Sequence, residues 1–242
     1  MVRMNLILGG GGNSTESASI DKLFVNLIRH KSKEKCAVLY IPIAMPKKSH
    51  SFGECWDWFT DCFSKYKLDI DMWTYIGGRR YSELNRYGAV YIGGGITFNL
   101  LHEIKRTGFD YLLKRFVADK GIVYGGSAGA IILGNNITTA YFGRYPDVNR
   151  IGLRDLTGLN LLWGTSIVCH YTPKNDKKIL NFVKKSGNNV VALTESNGLN
   201  VTEKGIRVLG DSNAILFTDK GKSCLKRGRV YHSFNLTSSR FL

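Results

Sequence analysis

No apolar run in this sequence approaches the roughly 18 residues that a membrane-spanning helix needs. The longest candidates, such as "AVLYIPIAM" from Ala37, have the length of buried strands. Proline is scarce, 4 residues against 27 glycines, which favours tight turns over extended linkers. The five cysteines, Cys36, Cys55, Cys62, Cys169 and Cys224, are odd in number and include no C-x-x-C pair. Neither a disulfide framework nor a zinc ribbon fits that pattern, and buried thiols in a reducing cytoplasm are expected. The opening "MVRMNLILGGGG" carries too short an apolar stretch for a signal peptide, which agrees with a cytoplasmic location. No G-x-x-x-x-G-K-[ST] string occurs, and "GGGGNSTES" from Gly9 lacks the third glycine of a dinucleotide fingerprint. Internal repeats and low-complexity segments are also missing.

What is present is an ordinary globular balance. The chain has 242 residues, 43% hydrophobic and 22% charged, enough for a single α/β domain over 1–242. The formal charge of +15 could steer anions or hold nucleic acid non-specifically. The basic residues are spread along the chain, however, and no aromatic-rich RNA motif accompanies them. A solvated, repulsive surface is therefore expected, with no specific nucleic-acid partner and no membrane partner.

Apolar strands alternate with amphipathic helices. "MNLILGGGG", "KCAVLYIPIA", "DIDMWTYI", "YGAVYIGGG" and "GIVYGG" read as strands. Between them, "SIDKLFVNLIRHK" places Leu23, Leu27 and Ile28 on one helix face, and "FGECWDWFTDCFSKY" places Phe52, Trp56, Phe59 and Phe63 on one stripe. Cys55 and Cys62, seven apart on that helix, have core spacing. "TFNLLHEIKRTGFDYLLKRFVADK" reads as one or two helices with a break near Gly108. The second half is less regular: "SIVCHYT", "VVALTES" and "LNVTEKGIRVLG" read as strands, "KNDKKILNFVKKS" as a basic helix and "AILFTDKGKSCLKRG" as a hairpin turning at "DKGK". The pattern predicts an α/β fold, with a mostly parallel sheet and helices on both faces.

Open parallel sheets bind ligands at the carboxyl ends of their strands. Three glycine-rich stretches fall there, Gly9 to Gly12, Gly93 to Gly95 and Gly125 to Gly129. The last, in "YGGSAGAIILG", satisfies G-x-S-x-G around Ser127. A nucleophile between strand and helix needs small neighbours, because Cβ atoms would clash on so tight a turn. The next N–H, from Ala128, could face a developing oxyanion at the helix start. A phosphate-binding loop and a plain strand–helix turn are the other readings. A serine nucleophile also needs a base and an acid to orient it. His30, His50 and His102 lie in basic or helical contexts that suit the surface, and His232 is near the terminus. His170 stands at the end of an apolar strand, where it is either a positioned base or a structural histidine. Glu195 ends "VVALTES", and Asp147 lies in the intervening loop "YPDVN".

The ordered set of Gly93-Gly94-Gly95-Ile96-Thr97-Phe98, Gly125 to Ala130, Asp147, His170-Tyr171 and Glu195 resembles the peptidase E (aspartyl dipeptidase) family of serine peptidases, to which the cyanophycinases are distantly related. The resemblance spans roughly residues 5 to 217. It implies a flavodoxin-like sheet similar to that of the class I glutamine amidotransferases. It also implies a Ser127–His170–Glu195 triad, oxyanion N–H groups from Gly95 and Ala128, and a substrate-side role for Gly94, Thr97 and Asp147, the last in substrate-amine recognition or loop ordering. No metal and no organic cofactor is implied. Ile96 stands where the family usually has Asn, and the Ser127–Asp147 loop is longer than usual. The segment between His170 and Glu195 is shorter than in the aspartyl dipeptidases, which carry acid-recognising residues there. Lys174, Lys177 and Lys178 could read an anion, but a solvated helix face suits them better. The expected function is hydrolysis of short peptides by a monomer or homodimer. Cleavage of another small amide, and a non-catalytic binding module on the same fold, are the alternatives.

Overall fold

A computed structural model describes residues 4–30, 37–46 and 50–232. Cys36, and the start of the second predicted strand with it, lie outside the described residues. Five strands, β1 (Asn5–Gly9), β2 (Val38–Ile41), β3 (Ile70–Met72), β4 (Ala89–Ile92) and β5 (Ile122–Gly126), pair in parallel in the order β1-β5-β4-β2-β3. With β1 counted last, this is the flavodoxin-like order 2-1-3-4-5. The order reverses between β2 and β4, and such a switch point opens a crevice at the carboxyl ends of the strands.

The sheet is buried on both faces because each strand is apolar on both. Leu6, Leu8, Leu39, Ile41, Val90, Ile92 and Val123 face one core, while Ile7, Val38, Tyr40, Ala89, Tyr91, Ile122 and Tyr124 face another. The second core is closed by α1 (Ala18–Arg29) and α2 (Phe52–Phe63). The first is closed by α4 (Thr97–Arg106), α5 (Phe109–Ala118) and α6 (Ala128–Leu133), following the short α3 (Tyr81–Leu84). Helices α4 and α5 part at Gly108, whose φ of +70° suits glycine, at the break the sequence indicated. In α1 the buried face is Ile20, Phe24, Val25 and Ile28, with Leu23 and Leu27 only half-buried. In α2, Phe59 and Phe63 are core as expected, but Phe52 and Trp56 are half-buried and Cys55 takes the inward position beside them.

The second half departs from a single parallel sheet. "LNVTEKGIRVLG" is two strands, β8 (Asn197–Thr202) and β9 (Gly205–Gly210), folded back on each other. With β12 (Val230–Tyr231) they extend the main sheet antiparallel from β1. The chain reverses there because Glu203 and Lys204 are polar and Gly205 adopts φ +128°. A second sheet has the order β11-β10-β7-β6, from β6 (Ser166–Val168), β7 (Val190–Ala192), β10 (Ala214–Thr218) and β11 (Gly221–Leu225). The predicted hairpin at "DKGK" is β10–β11, with Thr218 opposite Gly221. Ile167, Val191 and Leu216 of this sheet join the main core, while Val168, Val190, Ala192 and Phe217 pack under α7 (Asp176–Ser186). Two sheets thus share one core, which alternation along individual strands did not foretell.

Cys55, Cys62, Cys169 and Cys224 are free thiols, but only Cys55 and Cys169 are buried. Cys62 is half-buried and Cys224 is exposed on β11, because β11 is an edge strand with one face in solvent. Among the described residues, no helix is long and apolar enough to cross a membrane.

Strand β5 runs into α6 so tightly that a side chain on Gly125 would place its Cβ 2.5 Å from the Gly129 carbonyl, and one on Gly129 would sit 2.3 Å from the Ile92 carbonyl. Both neighbours are backbone and cannot step aside. Gly53, in the first turn of α2, has only the Ser51 hydroxyl within reach, at 3.7 Å. Gly125→Ala should therefore lower unfolding free energy by more than about 2 kcal/mol, whereas Gly53→Ala should raise it by roughly 0.5 kcal/mol through helix propensity. Urea denaturation of the two variants checks the contrast; equal midpoints would show that the close approach is not what holds this turn.

Candidate active site

Ser127 lies between β5 and α6 with φ +49° and ψ −111°, a backbone conformation that L residues rarely adopt. Its N–H donates to the Gly9 carbonyl at 3.1 Å, which ties the turn to the end of β1. The Ser127 carbonyl accepts from Ala130 and Ile131 and so starts α6. The three glycine-rich stretches do meet at this edge. A Cβ on Gly94 would lie 3.3 Å from that of Ser127, and one on Gly11 would lie 2.3 Å from the His170 imidazole. The hydroxyl of Tyr91 occupies the space beside Gly126, and that of Tyr124 the space beside Gly9. The glycines make room for side chains and for neighbouring backbone.

His170 and Glu195 are brought together by the second sheet. Strands β6 and β7 are parallel neighbours with Val168 opposite Ala192, so the residues just past their carboxyl ends emerge side by side. His170 takes φ +51°, and its N–H donates to the Gly10 carbonyl at 3.0 Å, docking this sheet edge on the glycine turn after β1. The imidazole Nε2 then stands 2.9 Å from Ser127 Oγ, and Nδ1 stands 3.3 Å from Glu195 Oε1. The other Glu195 oxygen faces Arg144 Nη1 at 3.9 Å. The Tyr145 ring meets the imidazole edge to face at 5.4 Å. Cys169, next in chain to His170, points its thiol at the Ser127 carbonyl at 3.5 Å, and burial pushes that thiol well above its usual range.

The remaining expected residues divide. The Gly95 and Ala128 amides have no hydrogen-bond acceptor among the described residues, which leaves both free to face a ligand. Gly95 adopts φ +140° and is pressed against the Ala44 carbonyl, so no other residue fits there. Thr97 is buried, and its N–H donates to Asp147 Oδ2 at 2.8 Å. Asp147 thus ties its loop to the amino end of α4, where the helix dipole favours a carboxylate. Desolvation outweighs these contacts and raises the Asp147 pKa from its ordinary value. The bond from Thr97 fixes the position of the loop that carries Asp147. His30, His50, His102 and His232 are exposed, as their contexts indicated.

Beside Ser127 opens a cavity of about 290 Å³ that motif reading did not find. Tyr40, Met45, Cys55, Trp58 and Tyr91 line it, with His50 and Glu54 as its polar members. It lies at the switch point between β2 and β4, under the amino half of α2. The available signal was Trp58: an aromatic residue outside the Phe59–Phe63 stripe of an amphipathic helix, and 44% exposed.

The sequence model of peptidase family S51 matches residues 6–209. An uncharacterized peptidase of Listeria monocytogenes is 34% identical over 112 residues, which is 46% of this chain and 53% of that protein. An uncharacterized peptidase of Pasteurella multocida is 39% identical over 83 residues, 34% of this chain and 39% of that protein. The match thus spans about half, or less, of the length of these curated relatives. Two solved structures share the fold. A candidate peptidase E protein from Listeria monocytogenes EGD-e has a TM-score of 0.67 at 22% identity, covering 87% of this chain and 100% of its own. A peptidase from an acI-B1 actinobacterium has a TM-score of 0.74 at 17% identity, covering 95% and 97%. With the family match running from β1 through β9, this chain belongs to peptidase family S51.

Proposed function

We propose that the protein is a serine peptidase acting on short peptides, with Ser127 as nucleophile, His170 as general base and Glu195 as the group that orients His170. The observation that carries this reading is the 2.9 Å contact between Ser127 Oγ and His170 Nε2, made by a serine held at φ +49°. Ser127 Oγ attacks the scissile carbonyl carbon while its proton passes to Nε2. The carbonyl oxygen becomes an oxyanion, to which the Gly95 and Ala128 N–H groups donate, assisted by the start of α6. Collapse breaks the C–N bond, and the imidazolium gives its proton to the departing amine. Water then attacks the acyl-enzyme by the same route in reverse. Glu195 favours the tautomer with the proton on Nδ1 and stabilises the imidazolium while it lasts. Gly94, against Ser127, lines the approach of the substrate, and Thr97 and Asp147 hold the loop that borders it. The unpaired cysteines support a cytoplasmic setting for this reaction.

Ser127→Ala and His170→Ala should each lower kcat by roughly 10⁴- to 10⁶-fold, and Glu195→Gln by a smaller factor. Circular dichroism should show all three folded. Mass spectrometry after a fluorophosphonate probe should find the adduct on Ser127, in wild type alone among the Ser127 pair. Retention of full peptidase activity by Ser127→Ala would sink the mechanism. A second outcome follows from Gly11. Its Cβ would strike the His170 ring at 2.3 Å. Gly11→Ala should thus cost about 10²-fold in kcat with little change in KM, because displacing a catalytic group by about 1 Å costs that much.

A further inference from the structure

We propose that the cavity beside Ser127 is a specificity pocket for a large apolar side chain, aromatic by preference, on a residue flanking the scissile amide. The proposal rests on the serine-peptidase reading above and adds to it the class of substrate.

Size is the first argument. An apolar cavity of about 150 Å³ is enough to hold benzene. The 290 Å³ here, opening at Ser127, suits a phenyl or indole group and is too small for several residues of peptide. The walls are the second. Tyr40 is stacked on Phe59 with centroids 4.1 Å apart and planes 6° from parallel. Tyr91 is wedged against Phe59 at 4.9 Å and against Tyr124 at 4.4 Å. These rings are held by the core before any ligand arrives, so binding does not have to order them. Trp58 leans toward Tyr40 at 6.5 Å and keeps 44% of its surface exposed, apolar area that an incoming ring would cover.

Charge is the third argument. The carboxylate of Glu54 is committed to its own helix, accepting from the Ser51 N–H at 2.6 Å and the Ser51 hydroxyl at 2.9 Å. Those bonds hold it ionised, with its pKa below the ordinary value. An acidic side chain entering the cavity would meet that like charge, with His50 the one described lining residue able to carry a positive charge against it. Both Ser51 contacts fall on Oε2, so a basic side chain would find Oε1 open, and the Lys member of the substrate series below decides that case. An apolar ring is matched by the aromatic walls and needs no charged partner.

Two dipeptide series, X-Ala and Ala-X with X as Phe, Trp, Leu, Ala, Asp or Lys, test this in two readouts. Wild-type kcat/KM should favour Phe and Trp over Ala by roughly 10- to 100-fold in one series, the gain expected for burying one aromatic side chain. The series that responds identifies whether the acyl or the leaving residue occupies the pocket. Calorimetric affinity for the Ser127→Ala variant should follow the same order without any turnover. Trp58→Ala should reduce the Phe-to-Ala ratio at least fivefold, and Trp58→Phe should restore most of it. Equal affinities across X, or tighter binding of Asp or Lys, would overturn the pocket assignment. Loss of fluorophosphonate labelling at Ser127 in wild type would instead overturn the nucleophile, while the calorimetric order still decides the pocket.

Discussion

Everything at this site depends on backbone meeting backbone where β5 turns into α6. Gly125 and Gly129 leave no room for a Cβ, the first against the start of α6 and the second against the Ile92 carbonyl at the end of β4. The helix can then begin directly above the sheet edge. Ser127, caught between the two, has to adopt φ +49°. The strain is offset by what surrounds it: its N–H bonds to Gly9, and its carbonyl starts the helix. Strained residues persist only where the surrounding structure over-determines them, and they concentrate at functional sites.

The second constraint is the docking of the small sheet. The glycine turn after β1 receives the His170 N–H at Gly10 and makes room for the imidazole at Gly11. One short turn therefore connects the strand that leads into Ser127 to the strand that leads into His170. The same seam buries Cys169 beneath Ser127 and sets Glu195 against His170 through the parallel register of β6 and β7. The site is an edge shared by two sheets, and the rigidity of both is what could keep Ser127 Oγ and Nε2 at hydrogen-bond distance.

Much of this was legible in the sequence, for identifiable reasons. Ser127 was visible because a tight strand–helix turn demands glycines at fixed spacing. His170 and Glu195 stood out as polar residues ending apolar strands, a position that also suits structural residues, and the ordered resemblance to the family singled them out. The parallel core was legible from the alternation of apolar runs and amphipathic helices. The antiparallel return of β8 and β9 was not, since a two-residue polar break inside "LNVTEKGIRVLG" leaves almost no periodic signal. Nor was the exposure of Cys224, which follows from its place on an edge strand. The cavity was also hidden: its walls come from β2, β4 and α2, distant in sequence, and the aromatic residues of α2 read as ordinary core.

By itself the sequence pointed to the residues of the site: Ser127 through its glycine turn, and His170 and Glu195 through the ordered set that resembles the family. The turn follows from local geometry, since a glycine pattern without Cβ room is a property of a few consecutive positions, whereas the histidine and the glutamate took their reading from the family pattern. The tertiary structure alone decided what stands beside Ser127 Oγ. The pairing order β1-β5-β4-β2-β3 sets Tyr40 and Tyr91 next to the Ser127 turn, and the packing of α2 over them turns Trp58 toward the opening. The shape of that cavity comes from long-range packing that no single stretch of chain specifies.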